Sequence, residues 1–442
     1  MAGEAARRGA RIGLAAIVAA ATLAGPHLRL GHDRGGERLP RAELDHLVVR
    51  RQTALRAAAL CAALALVGCA PAPAPGTPAA PTSTLRATAG EPSGSAPPAA
   101  DPLVDLARWP FPTGCVDTQA TTPLLDAKSE GQRLLWSRGG NGAAPETAPD
   151  VFADAPGGPV ATVYANPNRD SDIDNIVGWD GRVAFVEQND RVYGTGGWRL
   201  WLTPSDGAAP VEVDTSEPSV ESPLPFPAMR GDDLVWTAVH RVGGALRYQL
   251  LDYSVATGRT RAIASSDPTR TEYWFPSLGP GAALAYATVE HVAGKTLFAV
   301  YTGSLGGPAT RLDTPGMATM PVLGGAGLAW IQLTLPNVYN GGLLMVERPG
   351  GEPPAIALAD QPGVDYPSAG SRYATAGWGD GKVLEIVDLA TTQTVTVRRW
   401  PESYPWDIVR PDVSGNLMSF IVGPEDPAST APLRLCWARL PG

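Results

Sequence analysis

The sequence predicts an all-β protein built from repeated four-stranded units, and three observations support this fold class. Glycine (50) and proline (44) are abundant while charged residues make up only 18%, which favours many turns over long solvated helices. A short motif, a glycine followed by alternating apolar residues, recurs between residues 131 and 420. Each recurrence precedes two further strand-like segments.

The motif reads as a glycine, two variable residues, an apolar residue, a spacer and an apolar or aromatic residue. It occurs at 131–136, 181–186, 231–236, 281–286, 325–330, 370–375 and 415–420. The starts are 50, 50, 50, 44, 45 and 45 residues apart. Repeats of about 40–50 residues with β patterning are typical of propeller blades. Seven repeats predict a single β-propeller of seven four-stranded blades, and six blades follow instead if the first repeat is irregular.

The rest of each repeat predicts an outer hairpin. Segments such as "YQLLDYSVATGRTRAIA" and "LEIVDLATTQTVTVRR" are two strands joined by a turn of small and polar residues. Several repeats open with a proline just before the inner strand, as in "FPAMRG", "FPSLGPG", "MPVLGG", "YPSAG" and "RPDVSG".

One repeat carries a family resemblance. The stretch "RPDVSGNLMSFIV" at 410–422 resembles the repeat signature of TolB-like, WD40-like propellers. The other repeats keep the proline, the glycine and the apolar pair but lose the Asp-Gly core. The resemblance implies a bacterial extracytoplasmic propeller used mainly for binding, over residues 103–442, and it carries over no catalytic residue.

The last repeat is one strand short, since the chain stops after "APLRLCWARL". In propellers the N-terminal segment often supplies the missing strand, and "TGCVDTQ" at 113–119 is the candidate. That pairing would place Cys115 beside Cys436, and we expect a disulfide there in an exported protein. The alternative is a pair of free buried thiols.

Ahead of the repeats lies a segment typical of export. Residues 48–68 combine a basic start with an uncharged apolar run of eleven residues, Ala57 to Val67, which is too short to span a membrane and suits a signal peptide. The run ends in Leu-Val-Gly-Cys and resembles the bacterial lipobox, whose cysteine is acylated. Cys69 is therefore the expected lipidation site and membrane lipid an expected partner. The alternative is a buried helix that ends at the Gly-Cys pair.

The flanks of this signal have different expected roles. Residues 69–102 consist of the lipidated cysteine and a linker rich in Pro, Ala, Ser and Thr, a composition that cannot bury a core and stays disordered. Residues 1–47 contain a second apolar run, 12–25. We expect that Met1 is not the true translation start and that translation begins near 48–49. The alternative is that residues 12–25 form an additional signal or anchor segment. The folded part is then 103–442, tethered by lipid to the membrane and facing outside the cytoplasm.

The charge distribution and the cysteines exclude some partners. The net charge of −9 divides into +5 for residues 1–68 and −14 for the rest. An acidic body argues against nucleic acid, because phosphate binding needs clustered cations. The four cysteines form neither a CxxC motif nor a Cys/His cluster, so a zinc site is not expected. We expect a monomer without a cofactor, apart from the calcium hypothesis below.

The acidic stretch "NRDSDIDNIVGWDG" raises that hypothesis. Asp170, Asp172 and Asp174 have the 1-3-5 spacing of a calcium loop. Position six is Asn175 instead of glycine, and position twelve is Gly181 instead of the bidentate glutamate. The alternative is a solvated loop with turn-forming aspartates.

A second candidate site consists of aromatic and acidic residues in the segments that lead into inner strands. Such loops gather at one mouth of a propeller, where aromatic faces and carboxylates suit sugar or peptide recognition. The candidate ligand-binding residues are Glu272, Tyr273, Trp274, Asp365, Tyr366, Tyr404, Trp406 and Asp407, with Phe226 nearby. The alternative role for the aromatics is packing between blades.

No catalytic motif is present: the chain lacks a Gly-x-Ser-x-Gly elbow, and only His240 and His291 lie after the leader, too few for a triad on sequence grounds. The sequence predicts an extracytoplasmic binding or scaffold module for a protein, peptide or glycan. The alternative is a carbohydrate-active enzyme on the same fold, whose two carboxylates could come from distant repeats.

Overall fold

The computed structural model is an all-β propeller of seven four-stranded sheets. It describes residues 109–116, 124–138, 150–156, 158–168, 171–188, 197–205, 208–217, 220, 222–314, 316–333, 342–347, 355–356, 367–378, 383–399, 406–424 and 433–442. Within these residues the only helical element is one turn of 3-10 helix, Pro280–Ala282. The predicted fold class and the count of seven blades are confirmed.

Strands β1 to β28 follow one another along the chain and form the blades in sequence order, apart from β1, which joins the last blade. Strand β1 is Thr113–Val116. Blade 1 consists of β2 (Leu124–Glu130), β3 (Arg133–Arg138), β4 (Val151–Asp154) and β5 (Ala161–Tyr164). Blade 2 consists of β6 (Asp172–Trp179), β7 (Arg182–Gln188), β8 (Trp198–Thr203) and β9 (Val211–Thr215). Blade 3 consists of β10 (Ala228–Arg230), β11 (Asp233–Val242), β12 (Ala245–Ser254) and β13 (Arg259–Ser266).

The remaining blades repeat the same order. Blade 4 consists of β14 (Thr271–Leu278), β15 (Ala283–Val292), β16 (Lys295–Ser304) and β17 (Ala309–Arg311). Blade 5 consists of β18 (Ala318–Leu323), β19 (Leu328–Leu333), β20 (Gly342–Glu347) and β21 (Ala355–Ile356). Blade 6 consists of β22 (Ser368–Ala369), β23 (Tyr373–Trp378), β24 (Val383–Asp388) and β25 (Gln393–Arg399). Blade 7 consists of β26 (Trp406–Ser414), β27 (Leu417–Pro424), β28 (Arg434–Arg439) and β1.

The first strand of each blade faces the centre of a closed ring. Strand β2 contacts β6, and the contacts continue through β10, β14, β18 and β22 to β26, which contacts β2 again. The strands within each sheet are antiparallel neighbours, so each blade runs outward from its inner strand. This arrangement surrounds the centre of the molecule with seven short backbone segments.

The recurring sequence motif forms the turn and second strand of each blade. In five blades its glycine has a positive φ, between 57° and 83°, in the turn after the inner strand, a conformation that glycine adopts without strain. The last motif residue is buried in every blade, at 9% exposure or less, and packs between the sheets. These residues are Trp136, Val186, Trp236, Tyr286, Trp330, Thr375 and Phe420. Turn geometry and inter-blade packing therefore account for the period of the repeat.

The seventh blade is completed from the N-terminal side, as predicted. Strand β1 pairs antiparallel with β28, and Cys115 lies directly opposite Cys436. The two cysteines form a disulfide that joins residues 321 positions apart. The expected disulfide is confirmed, and it fastens the two ends of the ring to each other.

The segments ahead of the propeller, 1–47, 48–68 and 69–102 with Cys69, lie outside the described residues, so the predictions made for them remain predictions. Among the residues that the structure does describe, no helix has both the length and the apolar character needed to cross a membrane.

Candidate functional site

A cavity of about 330 Å³ lies at the centre of the ring. Its walls come from the inner strands of all seven blades, along the half of each strand that leads into the glycine turn. The volume is at the lower end of the range for small-molecule sites. The position and size favour a ligand of a few groups or one end of a larger molecule.

Bulges in the inner strands supply side chains to this cavity. In blade 1 the ladder between the first and second strands shifts register between Leu124 and Asp126. In blades 2, 4, 5 and 7 the shift lies nearer the glycine turn, and two inner-strand residues stand opposite one residue of the second strand. In these four blades the first of the two residues has a positive φ of 48° to 51°, at Asn175, Phe275, Met320 and Arg410. This backbone conformation is uncommon for residues other than glycine, and bulges often re-aim a side chain next to a functional site. All four residues line the cavity.

The same position can be identified in the other blades from the strand register. In the four bulged blades it lies two residues before the inner-strand residue at which pairing resumes. The equivalents of that residue are Lys128 in blade 1, Ala228 in blade 3 and Ser368 in blade 6. We call the seven equivalents the ring residues. They are Asp126, Asn175, Phe226, Phe275, Met320, Tyr366 and Arg410. All except Tyr366, which is not among the described residues, line the cavity.

The ring residues divide the cavity into two sectors. Blades 3, 4 and 5 contribute Phe226, Phe275 and Met320, which form the apolar sector. The phenyl centroids of Phe226 and Phe275 are 4.9 Å apart, within the usual range for interacting aromatic pairs. Trp274 stands beside both rings, at 6.3 Å from Phe226 and 5.9 Å from Phe275. This sector offers aromatic faces to an apolar group.

Blades 7, 1 and 2 form the charged sector. Arg410 Nη1 is 3.2 Å from both Asp126 Oδ1 and Asp174 Oδ1, so one guanidinium group bridges two carboxylates. Asp126 also accepts hydrogen bonds from the backbone N–H groups of Ala127 (2.9 Å) and Ile176 (2.8 Å). Asp126 therefore links blades 1, 2 and 7 and is 3% exposed.

Asp412 is the second charged centre of this sector. It accepts hydrogen bonds from the backbone N–H of Ser129 (2.7 Å) and the hydroxyl of Ser368 (2.7 Å). Lys128 Nζ lies 3.5 Å from its Oδ1 atom. Because these partners come from blades 1 and 6 and Asp412 belongs to blade 7, contacts among three blades hold this carboxylate in place.

The burial of these charges shifts two pKa values. Burial raises the pKa of Asp174 to about 6, although Arg410 partly opposes the shift. Burial acts to lower the pKa of Lys128, but the negative charges of Asp412 and Asp126 outweigh it, so the net shift is upward. The charged sector thus contains an ammonium group that keeps its charge and a carboxyl group that titrates close to neutral pH.

The predicted binding residues of blade 4 lie at the opposite half of the inner strand and outside the cavity. Glu272, Tyr273 and Trp274 belong to β14. Glu272 accepts hydrogen bonds from Trp274 Nε1 (2.8 Å) and lies 3.2 Å from His291 Nε2. Tyr273 is buried against Tyr248 of blade 3, which is the packing role considered as the alternative.

The other predicted site residues are brought together only in part. Asp365, Tyr366 and Tyr404 lie outside the described residues, and Trp406 and Asp407 are the first two residues of β26. For the calcium hypothesis, Asp172 and Asp174 lie in β6 and Asp170 is outside the described part. Within that part, no group of three His, Cys, Asp or Glu side chains is arranged to hold a metal ion.

Aromatic and acidic patterning does not identify the ring residues, but five of them carry another sequence signal. In blades 3 to 7 each of them directly precedes the proline that opens the repeat, as in Phe275-Pro276 and Arg410-Pro411. A proline has no N–H to offer to a ladder and is tolerated at bulges. In blades 4, 5 and 7 the Pro lies within the bulge, and the residue before it lines the cavity.

The chain is similar to several solved structures at low sequence identity. No protein-family model and no curated protein match the chain. Similar solved structures include the β-propeller domain of the Trilobed protease from Pyrococcus furiosus (9% identity, 72% of this chain and 93% of that chain, TM-score 0.47). An oligogalacturonate lyase in complex with manganese (12%, 72% and 90%, 0.49) and TolB from Acinetobacter baumannii (12%, 66% and 60%, 0.36) are also similar. At such identities the activities of these proteins are not assigned to this chain.

Proposed function

We propose that the propeller is a binding module whose ligand, a protein, peptide or glycan, places one group in the central cavity. The observation that supports this is the division of one cavity into an apolar sector and a charged sector. A cavity with aromatic walls and a few fixed polar groups is the usual form of a ligand site. The strained backbone at the ring residues further favours a role in function, since such conformations cluster at functional sites.

A glycan-active enzyme is the second candidate, and one observation favours it. Asp126 and Asp174 each have an Oδ1 atom 3.2 Å from the same Arg410 nitrogen, so these oxygens are at most twice that distance apart. Glycosidases use two carboxyl groups at comparable separations, one of them a proton donor with a raised pKa. Against this role, Arg410 and backbone N–H groups already occupy the Asp126 oxygens. We therefore place binding first.

The binding proposal predicts that Phe275→Ala weakens ligand binding at least about tenfold, because the ligand loses an aromatic face of the apolar sector. The measurement is a screen of immobilised peptides and oligosaccharides with the full chain, followed by calorimetry on the hits. Val292→Ala is the control, since Val292 is 53% exposed in blade 4 and lies outside the cavity lining.

Each result of this screen has a definite meaning. If the hits bind Phe275→Ala as tightly as the unaltered protein, the ligand binds elsewhere and the cavity is not the binding site. Hits that weaken in Phe275→Ala and not in Val292→Ala support the cavity. An oligosaccharide that is cleaved during the measurement would favour the enzyme over the binding module.

We further propose that the chain is a lipoprotein held at the membrane through an acylated Cys69, with the propeller outside the cytoplasm. The support is the lipobox-like end of the signal segment together with a disulfide in the folded part, since disulfides persist in oxidising compartments. Cys69→Ala is expected to abolish incorporation of an alkyne-labelled fatty acid and to release the protein from the membrane fraction. Cys61→Ala, within the apolar run, is the matched control; equal labelling of both variants would contradict the proposal.

A further inference from the structure

Arg230 stands at the edge of the cavity, between the apolar and the charged sectors. It is the last residue of inner strand β10 and lines the cavity together with Trp179 of the neighbouring blade. Its guanidinium carbon lies 4.4 Å from the centroid of the Trp179 ring, a distance typical of a cation–π contact. The indole face therefore holds the guanidinium group at the cavity wall.

The equivalent residues in two other blades accept hydrogen bonds from the next blade. Register places Arg230 at the same position as Glu130 of blade 1 and Ser414 of blade 7. Glu130 Oε1 accepts a hydrogen bond from Gly181 N (2.6 Å), and Ser414 Oγ accepts one from Gly131 N (2.9 Å). Both acceptors fasten the turn of the next blade. An arginine has no acceptor atom, so Arg230 cannot make this link.

Arg230 also differs from the arginines nearby in having no acidic partner. Arg410 bridges two carboxylates, and Arg182, one blade earlier, pairs with Asp232 at 2.8 Å. In the part of the chain that the structure describes, Arg230 makes neither an ion pair nor a hydrogen bond to a carboxylate. Burial lowers the pKa of Arg230, and no carboxylate compensates. The guanidinium group is thus partly desolvated, and no carboxylate of the protein compensates this cost.

We propose that Arg230 binds the carboxylate of the ligand, and that this ligand is the free C-terminus of a peptide ending in a hydrophobic residue. The planar guanidinium group matches a carboxylate with two parallel hydrogen bonds. The terminal side chain then packs on Phe226 and Phe275, which line the same cavity as Arg230 in blades 3 and 4. This inference rests on the proposed binding function and specifies its ligand.

The charges of the cavity favour a carboxylate over a phosphate group. Asp126, Asp174 and Asp412 already line the cavity and repel a dianion more strongly than a monoanion. The cavity volume of about 330 Å³ is suited to a single terminal residue and not to a long segment. A peptide end supplies one negative charge for Arg230 and one apolar group for the apolar sector.

The experiment compares N-acetyl-Ala-Phe with a free carboxylate and the same dipeptide as its C-terminal amide, by calorimetry on the full chain. The free acid is expected to bind about tenfold to a hundredfold more tightly than the amide, as for a charge-assisted hydrogen bond. Arg230→Gln removes this preference, and Arg230→Lys retains part of it. Arg261→Gln, in the outer strand of the same blade, is the control and keeps the preference.

The outcomes separate this inference from the binding function beneath it. Equal binding of acid and amide, no binding of either, or a preference that survives Arg230→Gln overturns the role of Arg230 in carboxylate recognition. Phe275→Ala is expected to weaken acid and amide alike, because it removes the apolar contact and leaves Arg230 in place. The screen of peptides and oligosaccharides can also find a ligand whose affinity falls in Phe275→Ala and is unchanged in Arg230→Gln. That result rejects carboxylate recognition by Arg230 and still supports the cavity as the binding site.

Discussion

Reduction of the Cys115–Cys436 disulfide is expected to destabilise the propeller by up to about 5–6 kcal/mol, the chain-entropy value for so long a loop. The bond joins residues 321 positions apart, and it clamps the four paired positions between β1 and β28 that close blade 7. Without it, only these backbone pairs and the local apolar contacts hold the two ends of the ring together. The unfolding midpoint should fall by up to roughly 10 °C.

The measurement is thermal unfolding followed by circular dichroism, with and without dithiothreitol. A Cys115→Ala/Cys436→Ala variant is the control: it should melt near the reduced protein and should not respond to the reductant. If the unaltered protein melts at the same temperature in both conditions, the closure contributes nothing to stability. Mass spectrometry after alkylation should find no modified Cys115 or Cys436 until the reductant is added.

The blades were predictable from sequence because each one repeats the same physical requirements. The turn glycine needs a positive φ, and the apolar residues after it must be buried between sheets; both are local and both recur at the blade period. Cys115 was placed beside Cys436 by a simple topological argument, since a three-stranded last blade needs a fourth strand from the other chain end. Neither inference required knowledge of any side-chain contact.

The site was harder to predict because its residues belong to seven different repeats and differ in type. The aromatic and acidic residues near Trp274 are conspicuous in the sequence. In the structure, however, Glu272 interacts with the Trp274 indole N–H and with His291, and Tyr273 packs between blades. The cavity lies at the other half of the inner strand. A bulge changes which side chain faces the cavity, and the alternation of apolar and polar residues along a strand does not reveal the bulge. The X-Pro pairs were the available clue to the bulge.

The charged sector was also missed, for a related reason. Asp126, Asp174 and Arg410 are separated by 48 to 284 positions in sequence, and each looks like an ordinary surface charge by itself. Asp174 was noticed only as part of a calcium-like spacing. Ring closure brings both carboxylates within hydrogen-bond distance of Arg410, so only the three-dimensional structure reveals the cluster.

Arg410→Met is expected to cost about 3–5 kcal/mol of unfolding free energy at pH 8, because it leaves buried carboxylates without their cation. Asp126 and Asp174 are 3% and 6% exposed, and methionine keeps most of the apolar stem of the arginine. Arg241→Met is the control, since the side chains of Arg241 and its partner Glu217 are 48% and 31% exposed and solvent-accessible pairs contribute at most about 1 kcal/mol. Urea unfolding followed by tryptophan fluorescence measures both variants.

The loss in Arg410→Met should be larger at pH 8 than at pH 5. Asp174 has a pKa of about 6 in the folded protein against 3.8 in the unfolded chain, so between these values the folded state binds more protons and stability falls as pH rises. The charge of Arg410 lowers the pKa of Asp174, and its removal therefore raises that pKa further and extends the fall above pH 6. At pH 5 Asp174 is mostly protonated, and the missing cation matters less. Equal losses at the two pH values would show that the charge of Arg410 does not stabilise the protein through Asp174.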